Sequence, residues 1–179
     1  MIDKNKKIVF IDLDSTLIET KTGHPFPKDI LDFIPKQKTW DALSDWAQAR
    51  QNIGEGCCVF IISNQGGIET NSTSKEAYVA MKLAFISYAL KEHLEKYGKN
   101  KNVVVDYEYC PSCKKDNPDR KPNTGMIDKL FIKYPPLNEI QKSEMVMIGD
   151  ASGKPGDFSD SDLQCAKNYS IDYIDVDDL

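Results

Sequence analysis

Residues 7–14 read KIVFIDLD, and this stretch decides the fold. An apolar, β-branched run that is too short for a helix and stops at charge reads as a buried strand. It ends on Asp12 and Asp14, two positions apart, so both carboxylates can face one side. Two carboxylates that close repel each other unless a cation or a proton stands between them. The strand therefore announces both a sheet and a site.

Working outward, similar runs recur at 57–63 (CCVFIIS), 103–109 (VVVDYEY), 144–149 (EMVMIG) and 171–175. Amphipathic stretches lie between them at 39–52, 74–97, 124–134 and 160–168. Asn123 or Thr124 can cap the third of these, and the serines and aspartates near 160 can cap the fourth. Strand and helix alternating throughout imply one α/β domain over 1–179, a central parallel sheet with helices on both faces. Ligands of such sheets sit beyond the carboxyl ends of the strands. The residues found there are Asp12 and Asp14, then Ser63, Asn64 and Gln65, then Asp150, with Arg120-Lys121-Pro122 just ahead of a helix.

Those residue types share one chemistry. Asp12, Asp14 and Asp150 form an all-oxygen cluster that suits Mg²⁺ rather than zinc. Ser63 offers a hydroxyl, the following turn offers backbone N–H groups, and Lys121 offers a compact positive charge, all suited to phosphate oxygens. A carboxylate nucleophile, a second carboxyl to move protons, a metal and a lysine suffice for phosphoryl transfer through an aspartyl-phosphate.

Residues 149–162, GDASGKPGDFSDSD, admit two opposite readings. The Gly-Lys pair hints at a phosphate-cradling loop, whereas the four aspartates suggest a cation site. A P-loop needs G-x-x-x-x-G-K followed by Ser or Thr. Here the glycines at 149 and 153 are one residue too close, and Pro155 follows Lys154. The acidic reading wins.

Composition sets the bounds. A chain of 179 residues with 40% hydrophobic and 28% charged residues is an ordinary globular domain, with no apolar run able to span a bilayer. The N-terminal stretch is no signal peptide, because its apolar run breaks at Asp12. Five cysteines, an odd number, fit reduced thiols and a cytoplasmic or other intracellular setting, nuclear in a eukaryote. The net charge of −5 does not decide about nucleic acid, since an acidic metal site masks the rest of the surface. Local basic patches at 91–101 and 114–121 weigh more.

FIDLDSTL at 10–17, IISNQGG at 61–67, RKPNTGM at 120–126 and MIGD at 147–150 resemble the four motifs of the haloacid dehalogenase-like phosphatases. The resemblance spans almost the whole chain and implies a Rossmann-like fold. By it, Asp12 is the nucleophile, Asp14 the general acid and base, Ser63 a phosphate-binding residue and Lys121 the stabiliser of the transferring charge. Asp12, the carbonyl of Asp14, and Asp150 would hold Mg²⁺. One departure is Ser15, where the family usually has glycine.

Family members differ in cap domains, inserted after Leu17 or between the second and third motifs. The corresponding intervals here are short enough that no cap domain is expected. Among capless members the chain most resembles the polynucleotide 3′-phosphatases, through 10–27, RKPNTGM and the insertion after Asp150. That resemblance puts the second acid of the fourth motif at Asp162, with Asp157 as a further candidate. Asp162 is preferred because DLQCAKN resembles the helix start that follows this acid in shorter relatives, which leaves Asp157 to order the loop. The resemblance implies a DNA 3′-phosphate end as substrate. The neighbouring phosphates would then run over positive side chains, for which Lys114, Lys115 and Arg120 are the first candidates and Lys154 a further one. No P-loop occurs in the sequence, so the expectation is a stand-alone phosphatase, or one that works with a separate polynucleotide kinase or ligase. Two other readings stay open. Histidinol-phosphate and heptose-bisphosphate phosphatases share RKP-x-x-GM and carry a zinc loop where this chain has Cys110 and Cys113. A non-catalytic module that recognises phosphorylated ends is the other.

Overall fold

The computed structural model describes residues 1–179 except 25, 26, 28, 30 and 71–75. Strand β1 (Ile8–Ile11) is completely buried and occupies the centre of a five-stranded sheet. Its neighbours are β4 (Cys57–Asn64) and β6 (Met145–Gly149); outside them lie β5 (Val103–Cys110) and β7 (Asp172–Asp175). The order is β5-β4-β1-β6-β7, and every pair is parallel. A two-stranded antiparallel ladder of β2 (Ile18–Glu19) and β3 (Ile34–Pro35) follows β1.

Alternation along the strands sorts the side chains into two cores. Val9, Ile11, Val59, Ile61, Val146 and Ile148 face helices α1 (Gln37–Asn52) and α3 (Glu76–Lys96). Ile8, Phe10, Phe60, Ile62 and Met147 face α4 (Gly125–Lys133) and α5 (Ser161–Tyr169). Phe10 anchors the second core, with ring centroids of Phe60, Phe131 and Tyr169 at 5.9, 6.4 and 6.3 Å. Each such side chain removed from water contributes roughly 1.5–3 kcal/mol. Burial on both faces is why these strands read as continuous apolar runs rather than alternating ones.

The expected strands and helices are all present, with ends shifted by a few residues; the expected helix start at 74 lies outside the described residues. The short helix α2 (Gly67–Thr70) was not anticipated. Neither was the β2–β3 ladder, whose two-residue strands carry no periodicity to read. The expected side-chain caps are a correction in part: neither Thr124 nor Asp160 caps its helix, although Ser159 Oγ accepts from Ser161 N at 3.3 Å. Backbone carbonyls do this work instead. Ala151 O accepts from Asp162 N and Leu163 N, and Pro118 O accepts from Gly125 N. Among the described residues, no helix is long and apolar enough to cross a membrane.

Register decides where the site falls. Ile11 stands beside Ile61 and Ile148, so β1, β4 and β6 run out at one end together. Asp12 N still donates to Ile148 O at 2.9 Å, which fixes the first acid as the strand ends.

Candidate active site

Asp12 leaves β1 into a space walled by Asp150, next after β6, and Asp162, in the first turn of α5. Carboxylate oxygens of these three lie within 4.8 Å of one another. Lys121 reaches into the same space from the loop before α4 and is only 3% exposed. Its ammonium donates to Asp12 Oδ1 and lies 2.8 Å from Asp162 Oδ1. The one ammonium is thus shared between two buried carboxylates, Asp12 and Asp162.

Electrostatics follow from this crowding. Burial, with Asp162 and Asp150 nearby, pushes the Asp12 carboxyl up to about 8 despite the opposing pull of Lys121. Burial and then Asp162 likewise raise Asp150, against the hydrogen bond from Thr16 Oγ1 at 3.1 Å. Burial works against the Lys121 charge, but the Asp12 and Asp162 carboxylates outweigh it and hold the ammonium above its ordinary value. One lysine does not balance two buried carboxylates and a half-buried third. Three carboxylates within 4.8 Å of one another around a single ammonium are an all-oxygen group that a hard divalent cation would neutralise. The donor set fits such an ion.

Two small features hold the acids in place. A Cβ built on Gly149 would overlap the Asp162 carboxylate, so the close approach requires glycine there. Ala151 N donates to Asp162 Oδ2 at 3.3 Å, fastening the acid to the loop after β6. Asp157 takes Ser152 N, Ser152 Oγ and Lys154 N at 2.8–3.0 Å; its carboxylate is tied up within the 149–162 loop.

Asp14 lies apart from the three-carboxylate group. Its Oδ2 accepts from Gln65 Nε2 at 2.7 Å, and its Oδ1 lies 3.5 Å from Lys82 Nζ. Gln65 Nε2 also donates to Ser63 Oγ at 2.8 Å, joining the ends of β1 and β4. The turn after Asp14 passes through Ser15 at φ 65°, a left-handed conformation that costs a residue with a Cβ about 1–2 kcal/mol. Asn64 pins Lys121: its side-chain amide donates to Lys121 O at 3.0 Å, and its Oδ1 accepts from Lys121 N at 2.9 Å. Its side chain thus holds the lysine's backbone.

The outlying positions scatter more widely. Lys114 and Lys115 are exposed, while Arg120 is half-buried and donates to Ser112 O at 2.8 Å. Lys154 pairs with Asp175 at 2.9 Å, on the β7 side of the sheet. Cys113 Sγ donates to Gly66 O at 3.1 Å, and among the described residues neither Cys110 nor Cys113 belongs to a cluster of three metal-ligating groups. Thr16 and Lys82 escaped the sequence reading. For Lys82 a signal existed: it shares the apolar face of α3 with Val79, Leu83 and Ile86.

A Rossmann-like sheet with buried carboxyls, a lysine and a hydroxyl gathered at its carboxyl edge fits a phosphoryl-transfer protein of the haloacid dehalogenase-like kind. The chain belongs to the family described as polynucleotide kinase 3 phosphatase, whose pattern matches residues 7–178. It is 31% identical to a bifunctional polynucleotide phosphatase/kinase of Schizosaccharomyces pombe, over 96% of this chain and 37% of that protein. It is 29% identical to an uncharacterised 20.8 kDa protein of Autographa californica nuclear polyhedrosis virus, over 95% and 83% of the two chains. A polynucleotide 3′-phosphatase of Saccharomyces cerevisiae is 26% identical over 90% of this chain and 82% of its own. The chain thus spans well under half of the fission-yeast relative and most of the other two.

Proposed function

We propose that the protein is a Mg²⁺-dependent phosphatase that removes the 3′-phosphate from DNA ends and leaves a 3′-hydroxyl for repair. The observation that carries this reading is the meeting of Asp12, Lys121, Asp150 and Asp162 at the sheet edge, in a chain of this family. The names of two relatives, a polynucleotide phosphatase/kinase and a polynucleotide 3′-phosphatase, support a polynucleotide end as the substrate.

Asp12 attacks the phosphorus, the bond to the 3′-oxygen breaks, and protonated Asp14 gives its proton to that oxygen. The products are an aspartyl-phosphate and a free 3′-hydroxyl. Water then attacks the same phosphorus and passes a proton to Asp14, the bond to Asp12 breaks, and phosphate leaves. Lys121 orients the Asp12 carboxylate and meets the charge on the transferring group. Ser63 and the backbone of the following turn bind phosphoryl oxygens. Asn64, here assigned to phosphate binding, acts on it by keeping Lys121 in place. Asp12, Asp150, Asp162 and the carbonyl of Asp14 would hold the Mg²⁺, which when bound supplies positive charge to the phosphoryl oxygens.

A polymer end suits an open mouth. A cleft of about 580 Å³ lined by Asp14, Ser15, Lys21, His24 and Ile34 lies between the β2–β3 ladder and Asp14. Lys114, Lys115 and Arg120 are the candidates for the neighbouring phosphates. A separate polynucleotide kinase or ligase would act on the same end, and five free cysteines fit a reducing, intracellular compartment.

The deciding experiment compares phosphate release in Mg²⁺ from a 3′-phosphorylated oligonucleotide, its 5′-phosphorylated twin and histidinol phosphate. Asp12→Asn serves as the blank, with activity expected to fall at least about 10³-fold. Strong preference for the 3′-phosphate is expected. Turnover of the small metabolite alone would overturn the substrate.

A further inference from the structure

Lys82 is 7% exposed and sits on the buried face of α3, where its neighbours are Val79, Leu83 and Ile86. A lysine is almost never buried unless it is paired. Its hydrogen-bonding partner among the described residues is Asp14 Oδ1, at 3.5 Å. Asp14's other oxygen is held by Gln65, which also grips Ser63. The Asp14 carboxyl is therefore held at both oxygens, by side chains from two different parts of the fold. Otherwise it would be loose: its side chain is 32% exposed, on a turn that runs through the left-handed Ser15.

A carboxyl that must move protons gains from a fixed direction, and a misplacement of about 1 Å can cost about 10²-fold in rate. Three carboxylates already share the space around Lys121. We propose that Lys82 is a positioning residue which, together with Gln65, keeps the Asp14 carboxyl in one orientation and out of that cluster. The assignment rests on the role of Asp14 proposed above. It explains a buried charge in α3 that the fold alone does not require, since an apolar side chain would pack there equally well.

The test is a double-mutant cycle with Lys82→Met, Asp14→Asn and the pair, with kcat/KM measured on phosphate monoesters graded in leaving-group acidity. The series runs from the 3′-phosphorylated oligonucleotide through small alkyl esters to p-nitrophenyl phosphate. Alkyl oxygens need a proton to leave, and the nitrophenolate does not. Because kcat/KM covers the steps up to leaving-group departure, the later water step does not blur the comparison. Lys82→Met should lower kcat/KM on alkyl esters by about 10-fold or more, leave p-nitrophenyl phosphate within about two-fold, and add nothing beside Asp14→Asn. Lys82→Arg should recover part of the loss, and the Tm of Lys82→Met should stay near that of the wild type. Equal loss on every ester, a loss that persists beside Asp14→Asn, or no loss at all would overturn the proposal. Wild-type protein that cleaves the small esters but not the oligonucleotide would sink the polymer substrate instead, and the cycle would still be decided on those esters.

Discussion

Gly149 ends β6 with its α-carbon against the Asp162 carboxylate, where any side chain would take the acid's place. Substitution by alanine removes no functional group, yet it must push Asp162 away from Lys121 and Asp150. The expected result for Gly149→Ala is a loss of about 1–3 kcal/mol from crowding and a fall of about 10²-fold in kcat/KM. The rise in Tm that Mg²⁺ gives the wild type, through binding the folded state, should shrink in the same variant. Thermal melts with and without Mg²⁺, beside steady-state kinetics, check both. An unchanged Mg²⁺ response would remove Asp162 from the cation site. At this scale the sequence was an uneven guide. Asp12, Asp14 and Asp150 could be read from strand ends alone, whereas Asp162 needed the family resemblance, because the 151–161 insertion hides its relation to Asp150. Lys82 was missed because a lysine on an amphipathic helix ordinarily faces water.

At the scale of elements, Asp106 shows how a helix is fastened to the sheet. It lies in β5, and its carboxylate accepts from Tyr134 Oη at 2.6 Å and pairs with Lys133 at 2.5 Å, at the end of α4. Burial alone would raise its carboxyl, but the hydrogen bonds from Lys133 and Tyr134 win and hold it below the ordinary aspartate value. A carboxyl lowered in the folded state stabilises above its unfolded value and loses that contribution as pH falls through the folded one. The Tm of the wild type should therefore exceed that of Asp106→Asn at neutral pH. The gap should narrow as pH drops below about 4, which melts across pH would show. A gap that does not change with pH would mean that the pair contributes nothing through charge. The five strands and four long helices were legible because doubly buried parallel strands read as unbroken apolar runs and long helices carry a clear period. The β2–β3 ladder and α2 were not, since elements of two to four residues are set by tertiary contacts. The caps expected at Thr124 and Asp160 failed for a related reason: the loops that return to each helix bring carbonyls which a linear reading does not see.

For the molecule as a whole, the net charge of −5 conceals a division of labour. Buried or half-buried carboxylates gather at the sheet edge, while Lys114 and Lys115 stand exposed on the neighbouring loop. If a DNA strand crosses that loop, binding should weaken with salt, by a slope of about −0.7 per phosphate contacted on a single strand. Lys114→Gln with Lys115→Gln should flatten the slope by about two such contacts and leave kcat unchanged. Binding titrations at several salt concentrations would read this directly, and an unaltered slope would put the strand elsewhere. The outer position of β5 carries one more consequence. An outermost strand eight residues long offers its backbone to any other chain that can extend alongside it. Asp106 and Glu108 place charge in the middle of that strand and act as gatekeepers against such stacking. Burial holds the Glu108 carboxyl above its ordinary value, so it is the first of the two to become neutral in acid. Acidification thus disarms both guards in turn, and aggregation from this edge, strand upon strand, is the form in which the protein is expected to fail.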